Sequence, residues 1–186
     1  NTMGNLTTDN SEVMYTVEDG LQIERFYLNK NEYFTGSNPE YLFIHHTAGW
    51  HNPYETIKGW DNDTRGSIAT EFVIGGQSIK GDDNRYDGKV LQALPPGGWG
   101  WHLGTGRSHM HKHSVGIEVN NFGWVKNGKT WANIRADSKQ TTTLNKSFKG
   151  YTDWHKYSDA QIKALKKLIL FIAERDSIDV REGLPK

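Results

Sequence analysis

Short apolar runs separated by polar and glycine-rich segments mark the strands that this sequence predicts. The run at residues 41–44 lies between Pro39 and a polar His-His-Thr sequence, and Phe72–Ile74 is followed by two glycines. The run at residues 90–94 ends at two prolines, while Ser114–Val119 alternates and is rich in β-branched residues. Short apolar runs bounded by turn signals are typical of buried strands. The pattern therefore predicts buried strands at all of these positions.

Two further segments have the pattern of β-hairpins. Alternating apolar positions occur at residues 13–17 and 21–26, and the dipeptide Asp19-Gly20 separates them. Asp-Gly or Asn-Gly between such segments is a strong hairpin signal, and Asn127-Gly128 gives it again later in the chain. Residues 1–11 are polar and rich in Asn and Thr, which predicts an arm or linker ahead of the first hairpin.

Capping residues and apolar spacing predict two helices. Asn52 and Pro53 suit an N-cap and a first helical position. Ser158 and Gln161 form a capping box, and apolar residues at helical spacing extend that helix to about residue 175. Strands that alternate with helices indicate the α/β class. We therefore expect a central mixed β-sheet flanked by α-helices, in a single domain with an N-terminal hairpin or arm.

Composition narrows the classes of partner. The 186 residues contain 22 basic and 22 acidic side chains, so the formal net charge is zero and the sequence pI is about 7.3. This balance gives no electrostatic reason to expect nucleic acid or an anionic membrane as partner. The absence of Cys excludes disulfides and thiolate metal sites in the residues given. No apolar run approaches the roughly 20 residues that cross a bilayer, so we expect no membrane insertion.

Two strand ends carry side chains with possible chemistry. His45 and His46 follow an apolar strand, and adjacent strand residues point to opposite faces, so at most one of them faces a given site. An imidazole fixed at a strand end suits zinc, although a hydrogen-bonded structural histidine is the alternative. Glu118 lies within an apolar strand, where a carboxylate is costly unless it is paired, exposed or functional. A solvent-facing Glu118 is the alternative interpretation.

The glycine-rich loop at residues 99–104 adds aromatic faces and an imidazole through Trp101 and His102. Such a loop can hold sugars or peptides, or it can simply pack its aromatic rings. The alternating His109, His111 and His113 resemble a metal-binding tract, but charged neighbours favour a solvated polar loop. The sequence contains neither a phosphate-binding glycine motif nor a G-x-S-x-G nucleophile elbow.

Taken in order, several segments resemble the zinc N-acetylmuramoyl-L-alanine amidases of the type-2 group, which includes phage endolysins and peptidoglycan recognition proteins. The resemblance covers roughly residues 40–176. Its motifs are Phe-Ile-His-His-Thr-Ala-Gly at residues 43–49, the strand pair at 69–74 and 90–92, Trp-His-Leu-Gly at 101–104, Ser-Val-Gly-Ile-Glu at 114–118, and the capped helix that contains Gln161 and Leu165.

The resemblance implies a Zn²⁺ cofactor and cleavage of the amide between N-acetylmuramic acid and L-Ala of the peptidoglycan stem peptide. It implies that His45 is a zinc ligand, whereas His46 is not, and that Glu118 is the catalytic glutamate that activates water. Trp101 and His102 would line the substrate groove. Thr70 and Glu71 occupy the substrate-side positions where many members have Tyr-His, so a tyrosine that assists the chemistry in some members is absent there.

The later zinc ligands of the family, a His followed by a Cys, Asp or His, follow the long helix. No His follows His155 in this sequence. We therefore expect an amidase-like domain over residues 35–186, incomplete at its C-terminus, after an arm and hairpin at residues 1–34. A second chain or C-terminal fragment would complete the metal site. The alternatives are a catalytically silent peptidoglycan-binding module, or an in-chain substitute ligand such as His102 or His113.

The implied place of action is the bacterial cell wall, in the periplasm or outside the cell. The protein would be encoded by a phage or a bacterium, and no signal peptide is visible in the sequence given. Peptidoglycan is the expected partner, and nucleic acid and membrane insertion are not expected.

Overall fold

The computed structural model describes residues 14–16, 20–104 and 108–181. Groups of strands are separated by helices along the chain. The strands are β1 (Met14–Thr16), β2 (Gln22–Arg25), β3 (Phe34–Thr35), β4 (Tyr41–His46), β5 (Phe72–Ile74), β6 (Val90–Gln92), β7 (Gly98–Trp99), β8 (Ser114–Val119), β9 (Trp124–Lys126), β10 (Lys129–Thr130), β11 (Thr141–Phe148) and β12 (Tyr151–His155). The α-helices are α1 (Pro53–Asp61), α2 (Ser108–Lys112) and α3 (Asp159–Asp176), and short 3₁₀ turns occur at Lys30–Glu32 and Ser138–Gln140.

A six-stranded mixed sheet forms the centre of the molecule, in the order β1-β2-β6-β5-β8-β4. β4 and β5 both run parallel to β8, whereas β5 and β6 are antiparallel. Apolar side chains from both faces of this sheet form two core clusters. One cluster includes Leu168 and Ile172 of α3, and the other includes Ile57 of α1. The predicted mixed sheet flanked by helices is therefore confirmed.

The N-terminal hairpin is confirmed, and it belongs to the central sheet. β1 and β2 are antiparallel, and β2 then pairs in parallel with β6. Leu21 and Ile23 lie in the core cluster on the α3 face. The predicted arm at residues 1–11 and the turn residue Asp19 lie outside the described residues. The boundary at residue 34 stays a prediction.

Both predicted helices begin at their predicted caps. The side chain of Asn52 accepts a hydrogen bond from the backbone N–H of Tyr54 at the start of α1. Ser158 and Gln161 form the complete capping box at the start of α3. These bonds satisfy backbone N–H groups that have no partner within the helix, which is why the start of each helix could be predicted from local sequence. Across the described ranges, no helix has the length and apolar character needed to cross a membrane.

The expectation that the run at residues 41–44 is a buried strand is wrong in one respect. The strand is present as β4, but it lies at the edge of the central sheet. Ile44 is 49% exposed, whereas its register partner Ile117 in β8 is fully buried. An edge strand has a neighbouring strand on only one side, so its apolar residues are less completely covered.

The polar segment after β8 forms a second sheet. The sequence pattern predicted only one of its turns. Its strands are antiparallel in the order β10-β9-β12-β11. The predicted hairpin turn at Asn127-Gly128 joins β9 to β10, and both residues have the positive φ that the turn requires. The longer β11–β12 hairpin was not predicted, because β11 is almost wholly exposed and lacks the apolar alternation of a half-buried strand.

His155 connects the second sheet to the rest of the fold. Its ring is 4% exposed, and its Nδ1 atom accepts a hydrogen bond from the backbone N–H of Phe122. Its backbone oxygen accepts a hydrogen bond from the side chain of Asn121. Burial lowers the pKa of His155 to about 4. The ring must therefore be neutral in the folded protein at neutral pH.

We expect His155 to make the protein sensitive to acid. Between about pH 6.5 and pH 4 the unfolded chain binds a proton at this position that the folded chain does not, so the free energy of unfolding falls as the pH is lowered. The expected loss is about 3 kcal/mol over this range. Denaturant unfolding of the parent and of His155→Gln, which cannot titrate, measures it. Parallel pH curves for the two chains would contradict the assignment.

Candidate functional site

Sheet register places two of the predicted functional residues side by side. His45 in β4 is the register partner of Glu118 in β8, and Glu118 is in turn paired with Val73 in β5. Val73 belongs to the core cluster on the α1 face, while Ile117 belongs to the cluster on the α3 face. Because register partners point to the same face of a sheet, His45 and Glu118 share the α1 face.

Glu118 is half-buried, and one oxygen of its carboxylate is buried without a compensating partner. Its Oε2 atom is inaccessible to solvent and accepts no hydrogen bond from the described residues. Burial raises the pKa of Glu118 to about 7. A carboxylate in this condition has a cost to the folded state and is suited to proton transfer near neutral pH. The apolar strand therefore carries one charged group that packing does not explain.

His45 lies against the imidazole of His102. The Nε2 atom of His45 and the Nδ1 atom of His102 are 3.0 Å apart. Burial lowers the pKa of both rings, to about 3 for His102, where the neighbouring His45 and His111 add to the effect. Both rings are therefore neutral at physiological pH, which is the form that binds metal ions.

Hydrogen bonds determine which nitrogen of His102 carries the proton. Ser114 Oγ donates to the carbonyl oxygen of Met110 at 2.7 Å. The hydroxyl oxygen can then only accept from His102 Nε2, which lies 2.8 Å away. In neutral His102 the proton is therefore on Nε2, and the lone pair of Nδ1 points at His45. This arrangement resembles the outer hydrogen bonds that orient metal-binding histidines.

His111 supports His102, contrary to the expectation that residues 109–113 form a solvated loop. His111 is 2% exposed, and its Nδ1 atom accepts a hydrogen bond from the backbone N–H of His102 at 2.9 Å. The short helix α2 turns His111 inward. The ring centroids of His109 and His113 lie 4.9 Å apart, and these two residues are less buried than His111. Alternation in the sequence could not identify this inward position, because the geometry is helical.

Glycine at position 116 makes room for the site. A Cβ atom there would lie 2.7 Å from Thr70 Cγ2 and 3.0 Å from His102 Nδ1. Both separations are shorter than ordinary van der Waals contact, so a side chain at this position would displace the imidazole or the threonine. Gly116 is two residues before Glu118 in β8, on the same face of the sheet. It is a site residue that the sequence analysis did not single out.

A cavity of about 660 Å³ opens beside these groups. Its walls include the rings of Trp60 and Trp101 and the side chain of Ile68, with Arg65, His102 and Glu118 as polar members. The ring of Trp101 lies over Gly66, where a Cβ atom would clash at 2.4 Å. An apolar cavity with a few converging polar groups is typical of small-ligand sites.

The two other residues predicted to contact substrate, Thr70 and Glu71, have different environments. Thr70 contributes to the cavity wall, although it is 1% exposed and its hydroxyl donates to the carbonyl of Phe72. Glu71 is buried, and Arg175 of α3 binds its carboxylate with two hydrogen bonds of 2.6 and 2.9 Å. Gln92 donates a third at 2.8 Å. This geometry gives Glu71 a structural role, and we do not retain it as a substrate contact.

Tyr157 interacts electrostatically with Glu118, and the sequence analysis did not single it out. Burial raises the pKa of its hydroxyl, and the nearby Glu118 carboxylate raises it further. The residue follows β12 of the second sheet, so its proximity to β8 depends on the position of that sheet. No local signal in the sequence indicates it.

The donors present fit part of a zinc site. His45 and His102 offer the neutral imidazole nitrogens that zinc favours, whereas a catalytic zinc has three protein ligands and an open position. Within residues 14–16, 20–104 and 108–181, no three His, Cys, Asp or Glu side chains are grouped so that they could hold a metal ion. Of the two in-chain substitutes considered above, His102 lies beside His45, whereas His113 binds the carbonyl of Asn38.

Comparison with known proteins agrees with the resemblance described above. A family model described as N-acetylmuramoyl-L-alanine amidase matches residues 35–183. A search of curated proteins gives no match.

Two solved structures, PlyL and the catalytic domain of XlyA, have the same fold. PlyL is 12% identical with a TM-score of 0.51, over 84% of this chain and 76% of that one. The catalytic domain of XlyA is 17% identical with a TM-score of 0.50, over 84% and 78% of the two chains. A mutant endolysin from Bacillus subtilis is 24% identical with a TM-score of 0.40; the match covers 53% of this chain and 60% of the length of that endolysin chain.

Proposed function

From its membership of the N-acetylmuramoyl-L-alanine amidase family, to which this chain belongs, we propose that it is a peptidoglycan hydrolase. The bond cleaved is the amide between N-acetylmuramic acid and L-Ala of the stem peptide. The place of action is the bacterial cell wall. One observation carries the proposal: half-buried Glu118, whose buried Oε2 atom has no hydrogen-bond partner among the described residues, is in register with His45 beside a cavity lined by tryptophan.

Glu118 is the general base and then the general acid in this proposal. Its carboxylate takes a proton from the attacking water as the oxygen adds to the amide carbonyl carbon. It then gives the proton to the nitrogen as the carbon–nitrogen bond breaks, so that a muramic acid carboxyl and a free L-Ala amine result. A pKa of about 7 suits both halves of this cycle.

The cavity supports recognition of a muramoyl peptide. Trp60 and Trp101 offer flat apolar surfaces for a sugar ring or for peptide methyl groups. Arg65 is 75% exposed at the side chain and already pairs with Asp63 at 2.7 Å, and its remaining N–H groups can bind a carboxylate of the stem peptide. His102 and Thr70 line the same space and complete the proposed substrate contacts.

The cofactor in this proposal is Zn²⁺, with His45 as a ligand. When bound, zinc polarises the amide carbonyl and makes its water more acidic. His102 is the described side chain best placed to add a second nitrogen, since its Nδ1 lone pair faces His45. A further donor from a second chain or an additional segment would complete the ligand set.

Release of new amino termini tests the proposed activity. The parent chain, supplied with Zn²⁺, is incubated with purified sacculi and separately with a soluble muramoyl tripeptide. We expect free L-Ala amino groups from both, and the loss of this release when zinc is chelated. Release of reducing sugar ends in place of amines would contradict the proposal.

A catalytically silent peptidoglycan-binding module is the second candidate function. This candidate is favoured by the side chains available for a metal ion, because no group of three ligands forms within the described residues. In that case the chain would bind sacculi without releasing amines and without retaining stoichiometric zinc. The same experiment therefore separates the two candidates.

A further inference from the structure

Charge is distributed unevenly over the molecule although its total is zero. Residues 120–157, which contain the second sheet, carry seven Lys or Arg and two Asp, so this segment has a formal charge of +5. The remainder of the chain therefore carries −5. Lys146 and Lys149 of this segment take part in none of the salt bridges formed among the described residues. The second sheet thus offers free positive charge to a partner.

Aromatic rings lie together on the same sheet. Trp124 and Tyr151 are stacked with ring centroids 4.4 Å apart and planes 6° apart. Trp154 contacts Tyr151 edge-on, and Phe148 lies 5.7 Å from Trp154. Phe148 is 56% exposed, and the ammonium of Lys149 lies 5.5 Å from its ring centre. We call β11, β12 and Trp124 together the aromatic hairpin.

The exposed strand of the aromatic hairpin is also rich in hydroxyl groups. β11 has the sequence Thr-Thr-Thr-Leu-Asn-Lys-Ser-Phe, and all its residues after Thr141 are exposed. Thr142 is the register partner of Trp154, so a hydroxyl lies beside the ring. Aromatic faces flanked by hydroxyl, amide and ammonium groups match the surface of a sugar chain that carries anionic groups.

The aromatic hairpin lies beside the end of β4, on the side of His46. A Cβ atom at Gly123 would lie 3.1 Å from His46 Nε2 and 4.0 Å from Trp154 Cζ3, so these two side chains flank the same glycine. His46 is adjacent to His45 in β4. The sheet register also connects β9 directly to β12. The hairpin is therefore next to the edge strand that carries His45, and it forms a surface outside the cavity.

We propose that the aromatic hairpin binds the peptidoglycan strand outside the cavity, through its sugars and through the free carboxylates of its stem peptides. This inference rests on the proposed function, which makes peptidoglycan the substrate. Complementary charge is the main argument for peptidoglycan as the partner. Residues 120–157 carry a formal charge of +5, and the stem peptides of peptidoglycan carry free carboxylates. The rings supply stacking surfaces for the sugars.

Co-sedimentation with purified sacculi measures this contact without requiring turnover. The test variants are Phe148→Ala and the pair Lys146→Glu with Lys149→Glu, all at exposed positions. The matched controls are Leu170→Ala, 60% exposed, and the pair Lys163→Glu with Lys166→Glu, on exposed positions of α3. All chains are also assayed for hydrolysis of a soluble muramoyl tripeptide, which is too short to span the hairpin.

We expect the lysine pair variant to bind sacculi about tenfold more weakly at low salt, and less so at high salt, because exposed charges are screened. Phe148→Ala should bind roughly fivefold more weakly. Both controls should sediment like the parent. Sacculi whose carboxylates have been amidated should bind the parent as weakly as normal sacculi bind the lysine pair variant.

Several outcomes would overturn the inference. One is equal sedimentation of parent and hairpin variants, and another is an equal loss in the α3 controls. Retention on a single-stranded oligonucleotide that exceeds retention on sacculi would indicate a nucleic-acid surface instead. If no chain hydrolyses the muramoyl tripeptide while sedimentation still depends on the hairpin, the hydrolase proposal fails and the binding surface stands.

Discussion

Replacement of Glu118 by Gln is expected to remove most of the amidase activity while leaving the fold intact. Gln has nearly the same shape but cannot take a proton from water or return one to the leaving amine. Loss of a general acid–base group typically costs about 10²- to 10⁴-fold in rate. Turnover of the soluble muramoyl tripeptide gives the size of the effect. Thermal unfolding should show no loss of stability, because an amide is less costly than an unpaired carboxylate in a buried position.

A matched control for this substitution lies in α1. Glu55→Gln removes an exposed carboxylate that pairs with Lys58 at the surface. We expect it to keep the activity of the parent, since exposed ion pairs of this kind contribute little. Equal activity of Glu118→Gln and the parent would refute the role of Glu118.

The pH profile gives a second signature of the same group. Burial raises the pKa of Glu118 to about 7, so the carboxylate needed as base is lost as the pH falls through neutrality. Turnover by the parent should therefore rise about tenfold between pH 6 and pH 8, if this single ionisation controls it. The residual activity of Glu118→Gln should lack this rise.

Replacement of His45 by Ala is expected to have the second largest effect, on zinc binding as well as on activity. Loss of an outer hydrogen-bond partner of a metal ligand already costs about 10- to 100-fold in affinity, and loss of the ligand itself should cost at least as much. Competition with a chromophoric chelator measures the zinc affinity of each chain. The visible spectrum of bound Co²⁺ reports whether a nitrogen ligand has been lost.

His46→Ala is the control for His45→Ala. The two residues are adjacent in β4, but alternation places His46 on the opposite face, against Gly123 and away from Glu118. We expect its zinc affinity to stay close to that of the parent. A similar loss in both variants would contradict the assignment of His45 as the single ligand of this pair.

Much of the central fold could be predicted because its signals are local. The capping box of Ser158 and Gln161 joins residues three positions apart, and the structure has the helix at that place. The alternation in Ser114–Val119 places Glu118 opposite Ile117 and Val119, which the two core clusters confirm. Burial of β4 was wrongly predicted, because the pairing of distant segments decides which strand lies at the edge of a sheet.

The second sheet shows the limit of pattern analysis. β11 is stabilised by pairing with β12, with hydrogen bonds that leave its side chains in solvent. Its Thr- and Asn-rich sequence therefore has no apolar periodicity to detect. The net charge also gave no information about where the charges lie. The total is zero, although residues 120–157 carry a formal charge of +5.

The sequence by itself determined the class of fold, the starts of both main helices, that His45 and His46 lie on opposite faces of β4, and that Glu118 points away from Ile117 and Val119. These features follow from the periods of strands and helices and from hydrogen bonds between near neighbours. Only the tertiary structure brought His102 to His45, across 57 residues, and turned His111 inward beneath it. It also engaged Glu71 with Arg175, 104 residues away. Such contacts depend on how complete elements pack, and no short segment of sequence specifies that packing.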